Sequence, residues 1–264
     1  MSAPILLPDR ALLAISGEER FSFLNTLLSA DVSTTVGEAR YAALLTPQGK
    51  LLADLFCLTD EGRVIVEFPA DSEFAKRLRM YKLRAAVTLD LLDDWQVMVQ
   101  MANAAPIGAL SFADPRDARL GSRLYGPAAT FAPTNDRAAY DRARIDAVVP
   151  EGPTDLEPNK ALLLESGFER LGGVDFRKGC FVGQEVTARM KYRHLGKKRI
   201  MSVSCDSPPA TGAAIMAGER TAGVVLSTSG DQALALMRHE FCAQPLTLAE
   251  GEVRIVADPD APQG

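Results

Sequence analysis

The sequence predicts an α+β fold with a small antiparallel β-barrel at its C-terminal end. Before residue 196, apolar strand patterns follow one another with single helical segments between them, an order that favours antiparallel sheets with packed helices over a doubly wound parallel sheet. After residue 196, four short strand patterns alternate with turns rich in Pro, Gly and Ser, which is typical of a barrel. The 264 residues, 47% of them hydrophobic, are enough to bury two or three cores. We therefore expect an α+β region over residues 1–195, with a crossing between subdomains near 102–121, and a barrel over 196–264.

The first helix is expected to begin after Ser16. Ser16 and Glu19 have the spacing of a capping box, in which each side chain accepts a hydrogen bond from the backbone N–H of the other residue. Phe21, Leu24 and Leu28 then lie on one apolar stripe with the period of an α-helix. The stripe predicts a helix that packs against a sheet.

Apolar periodicity and turn residues predict the other elements. A second helix is expected to begin at Asp71 or Ser72, either of which can cap it, and to end near Leu83, and residues 159–165 have short helical character. Strands of the α+β region are expected at 41–45, 50–58, 63–68, 87–92 and 95–101. Strands of the barrel are expected at 199–205, 223–227, 232–237 and 252–256.

Composition excludes several classes of protein and of site. No apolar stretch is long enough to span a membrane, and the first ten residues lack the pattern of a signal or transit peptide, so we expect a cytoplasmic protein without a membrane partner. The four cysteines are widely spaced and the chain has two histidines, which argues against a disulfide scaffold and against a metal site. The sequence has no G-x-S-x-G, Walker A or G-x-G-x-x-G pattern.

Positive charge is concentrated in one basic segment, residues 189–199. The chain has a net charge of −5, yet this segment holds six Lys or Arg residues and no carboxylate. Its cations are Arg189, Lys191, Arg193, Lys197, Lys198 and Arg199. A basic stripe in an acidic chain indicates a local anionic partner rather than general binding of nucleic acid. The plainer alternative is a solvated flank of a hairpin.

One glycine-bounded stretch is the richest in reactive chemistry. Cys180 follows two cations, Arg177 and Lys178, and adjacent positive charge favours the thiolate, which is the nucleophilic and metal-binding form of cysteine. Gly179 and Gly183 allow the backbone to take a positive φ or to approach a ligand closely. The alternative is a turn in which the cysteine packs as a small apolar side chain.

The same stretch resembles the signature of a known family. The sequence K-G-C-F-V-G-Q-E, followed by T-A-R, is similar to the motif of the YgfZ-type folate-binding proteins, which are relatives of the glycine-cleavage T-protein and whose mitochondrial counterparts assist iron–sulfur cluster assembly. Stretches at 23–32, 41–54 and 114–123 resemble the same family. The motif residues in this chain are Lys178, Gly179, Cys180, Phe181, Gly183, Gln184, Glu185 and Arg189. The resemblance implies a T-protein-like ring of α+β subdomains around a central folate hole, with a C-terminal antiparallel barrel.

The resemblance also implies a reduced folate, tetrahydrofolate, as cofactor. Glu165, in the sequence L-L-L-E-S-G, looks like the T-protein glutamate that binds the pterin ring, a task that suits a carboxylate because it accepts two parallel N–H bonds. Tyr41 lies where the T-protein has a tyrosine near the folate. An exposed glutamate at a helix end and a core tyrosine are the alternatives. The basic segment would meet the glutamate tail of the folate, RNA or an acidic protein.

One departure from the T-protein concerns activity. The T-protein has paired aspartates at the end of a hairpin strand, the first of which carries the chemistry of aminomethyl transfer, whereas this chain has Ala53 and Asp54. Alanine cannot orient an amine or stabilise a developing cation. We therefore expect no aminomethyltransferase activity, and an accessory protein rather than an enzyme.

The leading hypothesis is a folate-binding accessory protein for assembly or repair of iron–sulfur clusters, which indirectly supports cluster-dependent enzymes such as those that modify tRNA. Cys180 would react or bind a cluster transiently, with Lys178, Arg177 and Arg189 favouring its thiolate. Stable binding by this chain alone is not expected, because such clusters usually take four cysteine ligands, so client or assembly proteins are the expected partners. The alternatives are a folate-dependent one-carbon transferase or demethylase with an altered mechanism, and an RNA-binding adaptor.

Overall fold

The computed structural model describes residues 3–101, 108–193, 195–248 and 251–260. The elements of the α+β region are, in chain order, β1 (Ile5–Leu6), β2 (Arg10–Ser16), α1 (Arg20–Leu27), β3 (Ala39–Leu45), β4 (Leu51–Asp60), β5 (Arg63–Pro69), α2 (Phe74–Lys82), β6 (Thr88–Leu91), β7 (Trp95–Gln100), β8 (Leu110–Ala113), β9 (Ser122–Pro127), α3 (Ala138–Asp146) and α4 (Gln184–Tyr192). The elements that follow are β10 (Lys198–Cys205), β11 (Ala214–Ala217), β12 (Arg220–Ser229), β13 (Gln232–Arg238), β14 (Leu246–Leu248) and β15 (Gly251–Ala257). Across these ranges, no helix is long and apolar enough to cross a membrane.

Two antiparallel sheets form the α+β region. The larger sheet has the strand order β3-β4-β5-β2-β6, and the smaller sheet has the order β1-β7-β9-β8. Short turns at 46–50 and 61–62 join β3, β4 and β5, so strands that follow one another in sequence also pair. All five strands predicted for this region are confirmed, as is the α+β class.

The larger sheet is covered on both faces. One face packs against α1 and α2, with Leu24 and Phe74 among the buried side chains. The other face packs against the smaller sheet and the segment that precedes α4, with Phe56 and Phe168 in that core. Because β4 is buried on both faces, its sequence is a nearly continuous apolar run instead of an alternating pattern.

The C-terminal strands close into the predicted barrel. Its strand order is β10-β13-β12-β11-β14-β15, and β15 pairs back onto β10. The interior is apolar, with Ile215, Val225 and Ala235 fully or almost fully buried. The four predicted strands are confirmed, and two more, β11 and β14, are short elements of four and three residues that have little periodicity to detect.

The predicted capping box at Ser16 is wrong. Ser16 is the last residue of β2, where it pairs with Arg63 on one side and Thr88 on the other. The helix begins four residues later, and the carboxylate of Glu19 accepts a hydrogen bond from the backbone N–H of Ala86 at 2.5 Å. Sheet pairing therefore extends β2 to the position that the local motif assigned to a helix cap.

The helix expected at 159–165 is also wrong. Residues 159–165 form turns instead of a helix, because Asn159 has a positive φ of 63° and donates its N–H to Leu51 O on β4. The crossing expected near 102–121 stays a prediction; the chain passes between the two sheets after β1 and after β6, and residues 110–113 form β8 within the smaller sheet. Residues 102–107 of that stretch lie outside the described residues. The helices α3 and α4 had no predicted counterpart.

A network of buried charges joins the two sheets. Arg123 on β9 donates from Nη1 to Glu67 Oε1 on β5 at 2.5 Å, and from Nη2 to Glu151 Oε2 at 2.7 Å. Glu67 also accepts from Arg10 Nε at 2.7 Å. The other members of the network are Asp54, Asp114, Arg116, Tyr125 and Tyr140. Buried charges are tolerated only when they are paired and hydrogen-bonded, and each of these is.

The same network fixes the barrel against the α+β region. Asp155 Oδ2 accepts hydrogen bonds from Arg144 Nη1 at 2.8 Å and from the backbone N–H of Glu151 at 3.0 Å. Asp155 Oδ1 accepts from the backbone N–H of Ser227 on β12 at 2.8 Å. A single buried carboxylate therefore holds α3, the segment after α3 and the barrel together.

Arg123→Leu is expected to lower the free energy of unfolding by about 3–5 kcal/mol, because it leaves Glu67 and Glu151 buried without their main cation. Urea titration followed by circular dichroism measures this. The matched control is Arg142→Leu, which removes an exposed pair with Asp146 and should change the stability by no more than about 1 kcal/mol. Equal losses in the two variants would contradict the central role of Arg123.

Lowering the pH should remove the stabilisation that the ion pairs between Arg123 and the buried carboxylates give to the fold. Burial alone would raise the pKa of Glu151, but Arg123, Arg144 and Arg116 outweigh it and hold that pKa well below its usual range. A carboxylate with a lowered folded pKa stabilises the fold fully above the ordinary carboxyl pKa of about 4, and this stabilisation is lost as pH falls towards the folded value. In Arg123→Leu the fall in unfolding free energy between neutral and acid pH should therefore be smaller than in the parent.

Candidate functional site

The Cys180 loop, residues 176–183, lies between the core of the α+β region and α4. Ser29, which follows α1 and is fully buried, sets its path: Ser29 Oγ donates to Gly173 O at 2.5 Å and accepts from the backbone N–H of Ala43 on β3 at 2.8 Å. The backbone N–H of Asp175 donates to Ser29 O at 2.9 Å. The chain is therefore tied to the end of α1 and to β3 just before the loop begins.

Lys178 anchors the middle of the loop to the C-terminal end of α1. Its Nζ donates to Asn25 O at 3.0 Å and Leu28 O at 2.7 Å, and lies 3.3 Å from Asp31 Oδ1, while its side chain is 1% exposed. Free carbonyls at a helix C-terminus form the negative end of the helix dipole, so they favour a cation. Burial lowers the pKa of Lys178, and the charge of Asp31 opposes that shift.

The end of the loop is fixed by a close contact between two glycines. Gly183 precedes α4 in a left-handed conformation with φ of 80°, and a Cβ there would lie 2.6 Å from Thr46 O. Gly49, on the β3–β4 turn, faces it: a Cβ at Gly49 would lie 2.9 Å from Val186 Cβ on α4. Glycine is required at position 183 by both its φ and the space available.

Cys180 is exposed between these anchors. Its neighbour Phe181 is buried in the main core, with its ring centroid 5.5 Å from Lys178 Nζ, whereas the Arg177 side chain is 94% exposed. Gly179 is exposed as well. The loop therefore holds its backbone by buried residues on each side and presents a single thiol to solvent.

The structure gives Lys178 a task that the sequence did not indicate. Its ammonium group donates to the carbonyls of α1, and its charge also acts on the buried thiol of Cys57. Burial raises the pKa of Cys57 to about 12, and the charge of Lys178 opposes this. Lys178 is thus a positioning residue of the loop.

The remaining motif residues belong to α4. Gln184 and Glu185 form its first turn, where Glu185 is exposed and complements the positive end of the helix dipole. Thr187 is buried, with its Oγ1 donating to Gly183 O at 3.2 Å. Arg189 lies in the last turn and is exposed. The motif therefore brings Lys178 to Glu185 together at one end of α4, and places Arg189 near the other end.

The basic segment continues from α4 to β10. Lys191 pairs with Glu169, and Arg199 pairs with Asp258 at 3.0 Å. Its other four cations make no salt bridge within the described ranges, which omit His194: they are Arg189, Arg193, Lys197 and Lys198. Two large side chains among them are exposed, Tyr192 at 69% and Leu195 at 48%. This surface is basic and partly apolar.

A cavity of about 630 Å³ lies between the segment that precedes α4 and the barrel. Glu165 lines it, and its Oε1 accepts the backbone N–H groups of Lys197 at 3.2 Å and Lys198 at 3.3 Å. The other charged side chains at the cavity are Lys50, Asp155, Glu157, Lys160 and Lys198, and the apolar ones include Leu162, Val224, Leu226 and Leu236. The volume and the mixture of apolar walls with a few polar groups are typical of small-molecule sites.

Tyr41 does not join Glu165 at this cavity. It is 1% exposed on β3, and its ring stacks on Phe168 with centroids 4.8 Å apart. Burial raises the pKa of Tyr41 well above its usual value, and its hydroxyl has no hydrogen-bond partner in the parts of the chain that the structure describes. Tyr41 is therefore a core tyrosine, which is the alternative that the sequence left open.

The carboxylate of β4 that faces the interior is Asp54. Ala53 points into the core beneath α1 and α2, where a carboxylate would be buried among apolar side chains. Asp54 points the other way: its Oδ1 accepts from Arg10 Nη1 at 3.0 Å, and its Oδ2 has no partner among the described residues. At this point of β4 the interior therefore receives the carboxylate of Asp54, and strand alternation is the signal that would have identified it.

Alkylation with limiting iodoacetamide near neutral pH is expected to label Cys180 before the other three cysteines. Cys57 and Cys205 are buried as predicted, Cys242 is half-buried, and burial raises the pKa of all three thiols. Peptide mapping by mass spectrometry gives the order of labelling. The idea fails if Cys242 or Cys57 reacts first in the folded protein. In urea all four should react at similar rates.

The barrel and the chain as a whole are each similar to known proteins. Residues 197–263 match the family model of the CAF17 C-terminal beta-barrel domain. The chain is 32% identical over 292 residues to the mitochondrial iron–sulfur cluster assembly factor IBA57 of Mus musculus, which covers 95% of this chain and 82% of the relative. The protein of the same name from Homo sapiens is also 32% identical, over 290 residues and with the same coverage.

A solved structure shares the fold across nearly the whole chain. The glycine cleavage system aminomethyltransferase T from Bartonella henselae superposes with a TM-score of 0.77, covering 98% of this chain and 86% of that one. The sequences are 13% identical, so this likeness concerns the fold, and it confirms the expected T-protein-like architecture. The similarity in sequence to IBA57 extends over the α+β region and the barrel together. The chain belongs to the IBA57 family of iron–sulfur cluster assembly factors.

Proposed function

We propose that this protein assists the assembly or repair of iron–sulfur clusters, and that Cys180 binds a cluster transiently together with a partner protein. The observation that carries the proposal is an exposed thiol on a loop whose two sides are held by buried contacts. An accessible thiol on a fixed backbone is suited to metal ligation, because the ligand does not have to be ordered when the cluster arrives. Membership of the IBA57 family supports the same assignment.

A partner is part of this proposal because of the ligand count. Iron–sulfur clusters usually take four cysteine ligands, and Cys57 and Cys205 are buried. Within the described residues, His, Cys, Asp and Glu side chains form no group of three or more that would hold a metal ion. We infer that Cys180 supplies one ligand and that the other ligands come from an assembly or client protein.

Charge favours such a partner on the same surface. A cluster held by four thiolates has a net negative charge, and Arg177, Arg189 and Arg193 are exposed on and after the loop. Opposite charges across an interface speed association and suppress wrong partners. We infer that the basic segment faces an acidic, cluster-bearing protein, and that the clients include cluster-dependent enzymes that modify tRNA.

We further propose that a reduced folate binds in the cavity beside Glu165. The residues fit this ligand class. Glu165 Oε2 accepts no hydrogen bond from the described residues and could accept an N–H of the pterin. The walls include Leu162 and Leu226, and Lys198 would face the carboxylates of the glutamate tail. A reduced folate supplies one-carbon chemistry, but in this proposal it acts as a ligand that holds the cavity walls together. Tyr41 has no part in the site.

Cys180→Ser is expected to abolish support of cluster-dependent enzymes in cells that lack the parent gene. The exposed side chain contributes little to packing, so the variant should keep the Tm and cellular level of the parent. Enzyme activities of clients and their iron content measure the effect. Cys242→Ser is the control, because it removes a half-buried thiol of the barrel end and should leave the clients active. Full support by Cys180→Ser would exclude the thiol from function.

Tetrahydrofolate at about 100 times its Kd is expected to stabilise the fold by about 2.7 kcal/mol, a rise in Tm of roughly 5–10 °C for a chain of this size. Glu165→Gln should reduce that rise, because an amide offers a donor where the carboxylate accepts. Tyr41→Phe is the control and should keep the rise, since Tyr41 does not line the cavity. The cavity is not the folate site if tetrahydrofolate fails to raise the Tm of the parent protein. The same holds if the rise in Tm is lost in Tyr41→Phe but kept in Glu165→Gln.

A further inference from the structure

The C-terminal end of α2 exposes apolar side chains that the fold does not use. Met80 is 65% exposed and Leu83 is 87% exposed, whereas Phe74 and Leu78 hold the opposite side of the same helix in the core. Single exposed apolar residues are common on protein surfaces, but two large ones within four residues form a small patch. We name this patch, with the cations around it, the α2 tip: Arg79, Met80, Lys82, Leu83 and Arg84.

The α2 tip is strongly basic. Residues 76–84 contain five cations and no carboxylate. Lys76 and Arg77 pair with Glu73 at 3.3 and 3.2 Å, on the turn before the tip. Arg79, Lys82 and Arg84 make no salt bridge with any described part of the chain, so their charge is available to another molecule.

Leu83 is held in its exposed position against backbone preference. Its φ is 37°, which is the left-handed side of conformational space, where a residue other than glycine is strained. The turn around it is fixed: the backbone N–H of Ala85 donates to Lys82 O at 2.7 Å, and that of Ala86 donates to Glu19 Oε2 at 2.5 Å. Strained backbone conformations cluster at binding and switch regions, so Leu83 marks the tip as a place to look for a partner.

The α2 tip and the Cys180 loop lie at opposite ends of α1. Glu19, just before α1, contacts the turn after the tip, and Lys178 contacts the carbonyls at the far end of α1. The helix has eight residues, so its length is about 12 Å. Both features therefore lie on the helical side of the larger sheet, within the span of one protein interface.

We propose that the α2 tip docks an acidic protein whose surface accepts Met80 and Leu83 between carboxylates. Charge complementarity supports an anionic partner, because the cations of the tip are unpaired while the whole chain is acidic. The exposed Met80 and Leu83 favour a protein over RNA, because neither side chain offers an aromatic ring on which a base would stack. A membrane surface is disfavoured, since the apolar face of α2 is already in the core.

This inference goes beyond the proposed function. A partner held at the tip would lie on the same side of the larger sheet as the Cys180 loop, which would suit cluster transfer, but only that use rests on the proposed function. The docking itself requires neither a cluster nor the thiol, so it is tested without them.

The test uses the full chain and a fluorescein-labelled helical peptide with an apolar leucine stripe flanked by glutamates, read by fluorescence anisotropy. The peptide should bind, and added salt should weaken its binding. A peptide with the same stripe flanked by lysines should not bind. Met80→Asp combined with Leu83→Asp should weaken binding by about tenfold or more. Val36→Asp is the matched control, because Val36 is 59% exposed but lies far from the tip in sequence.

Two further variants separate docking from general effects of charge and of strain. Replacing Arg79, Lys82 and Arg84 by glutamate should abolish binding. Replacing Arg142, Arg220 and Arg254 by glutamate makes the same change of charge at exposed cations outside the tip and outside the basic segment, and should preserve binding. Leu83→Gly should raise the Tm, because it relieves the positive φ, yet still weaken binding. Binding that survives the tip variants would overturn the proposal. So would binding of phosphatidylglycerol vesicles or poly(U) RNA in place of the acidic peptide.

Discussion

The buried guanidinium of Arg123 is the interaction on which the arrangement of the two sheets depends. Its three nitrogens reach Glu67 on the larger sheet, Glu151 after α3 and Asp114 beside its own strand. Removing such a group would leave several carboxylates buried and unpaired, so the sheets cannot shift without a large cost. Directional hydrogen bonds between charges also fix one relative orientation, which apolar contacts alone would leave adjustable. The Arg123 network therefore fixes the sheets to which the surface loops are attached.

The Cys180 loop is attached to β3, a strand of the larger sheet that the Arg123 network holds in place. Ser29 joins β3 to the chain just before the Cys180 loop, and Lys178 joins the loop to α1, which packs on the same sheet. Gly183 completes the attachment by its contact with the turn after β3. The exposed thiol is therefore positioned by polar contacts to a rigid sheet and not by a helix of its own. A loop built in this way can present a reactive group at low conformational cost.

Sequence reasoning predicted β3 to β7 and the barrel with four of its strands, because each has a local signature in periodicity or turns. It did not predict β1, β2, β8 and β9. It failed where long-range pairing decides the structure. Ser16 has the local pattern of a helix cap, but it pairs in a sheet with Arg63. Charged residues inside strands, such as Arg10 and Glu67, could have indicated a buried network, but their partners are distant in sequence. The role of Lys178 was likewise invisible, since the carbonyls it binds are about 150 residues away.

Helix α4 lies between the Cys180 loop and the segment whose backbone reaches Glu165 at the cavity. The Cys180 loop leads into its first residue, Gln184, while the backbone N–H groups of Lys197 and Lys198, just beyond its end, bind Glu165 at the cavity. The helix has nine residues and is therefore about 14 Å long. A ligand that drew Glu165 towards itself would compete with those two N–H groups, and hence act on the segment that follows α4. The thiol and the cavity are thus distinct in position, and α4 with the segment that follows it connects them.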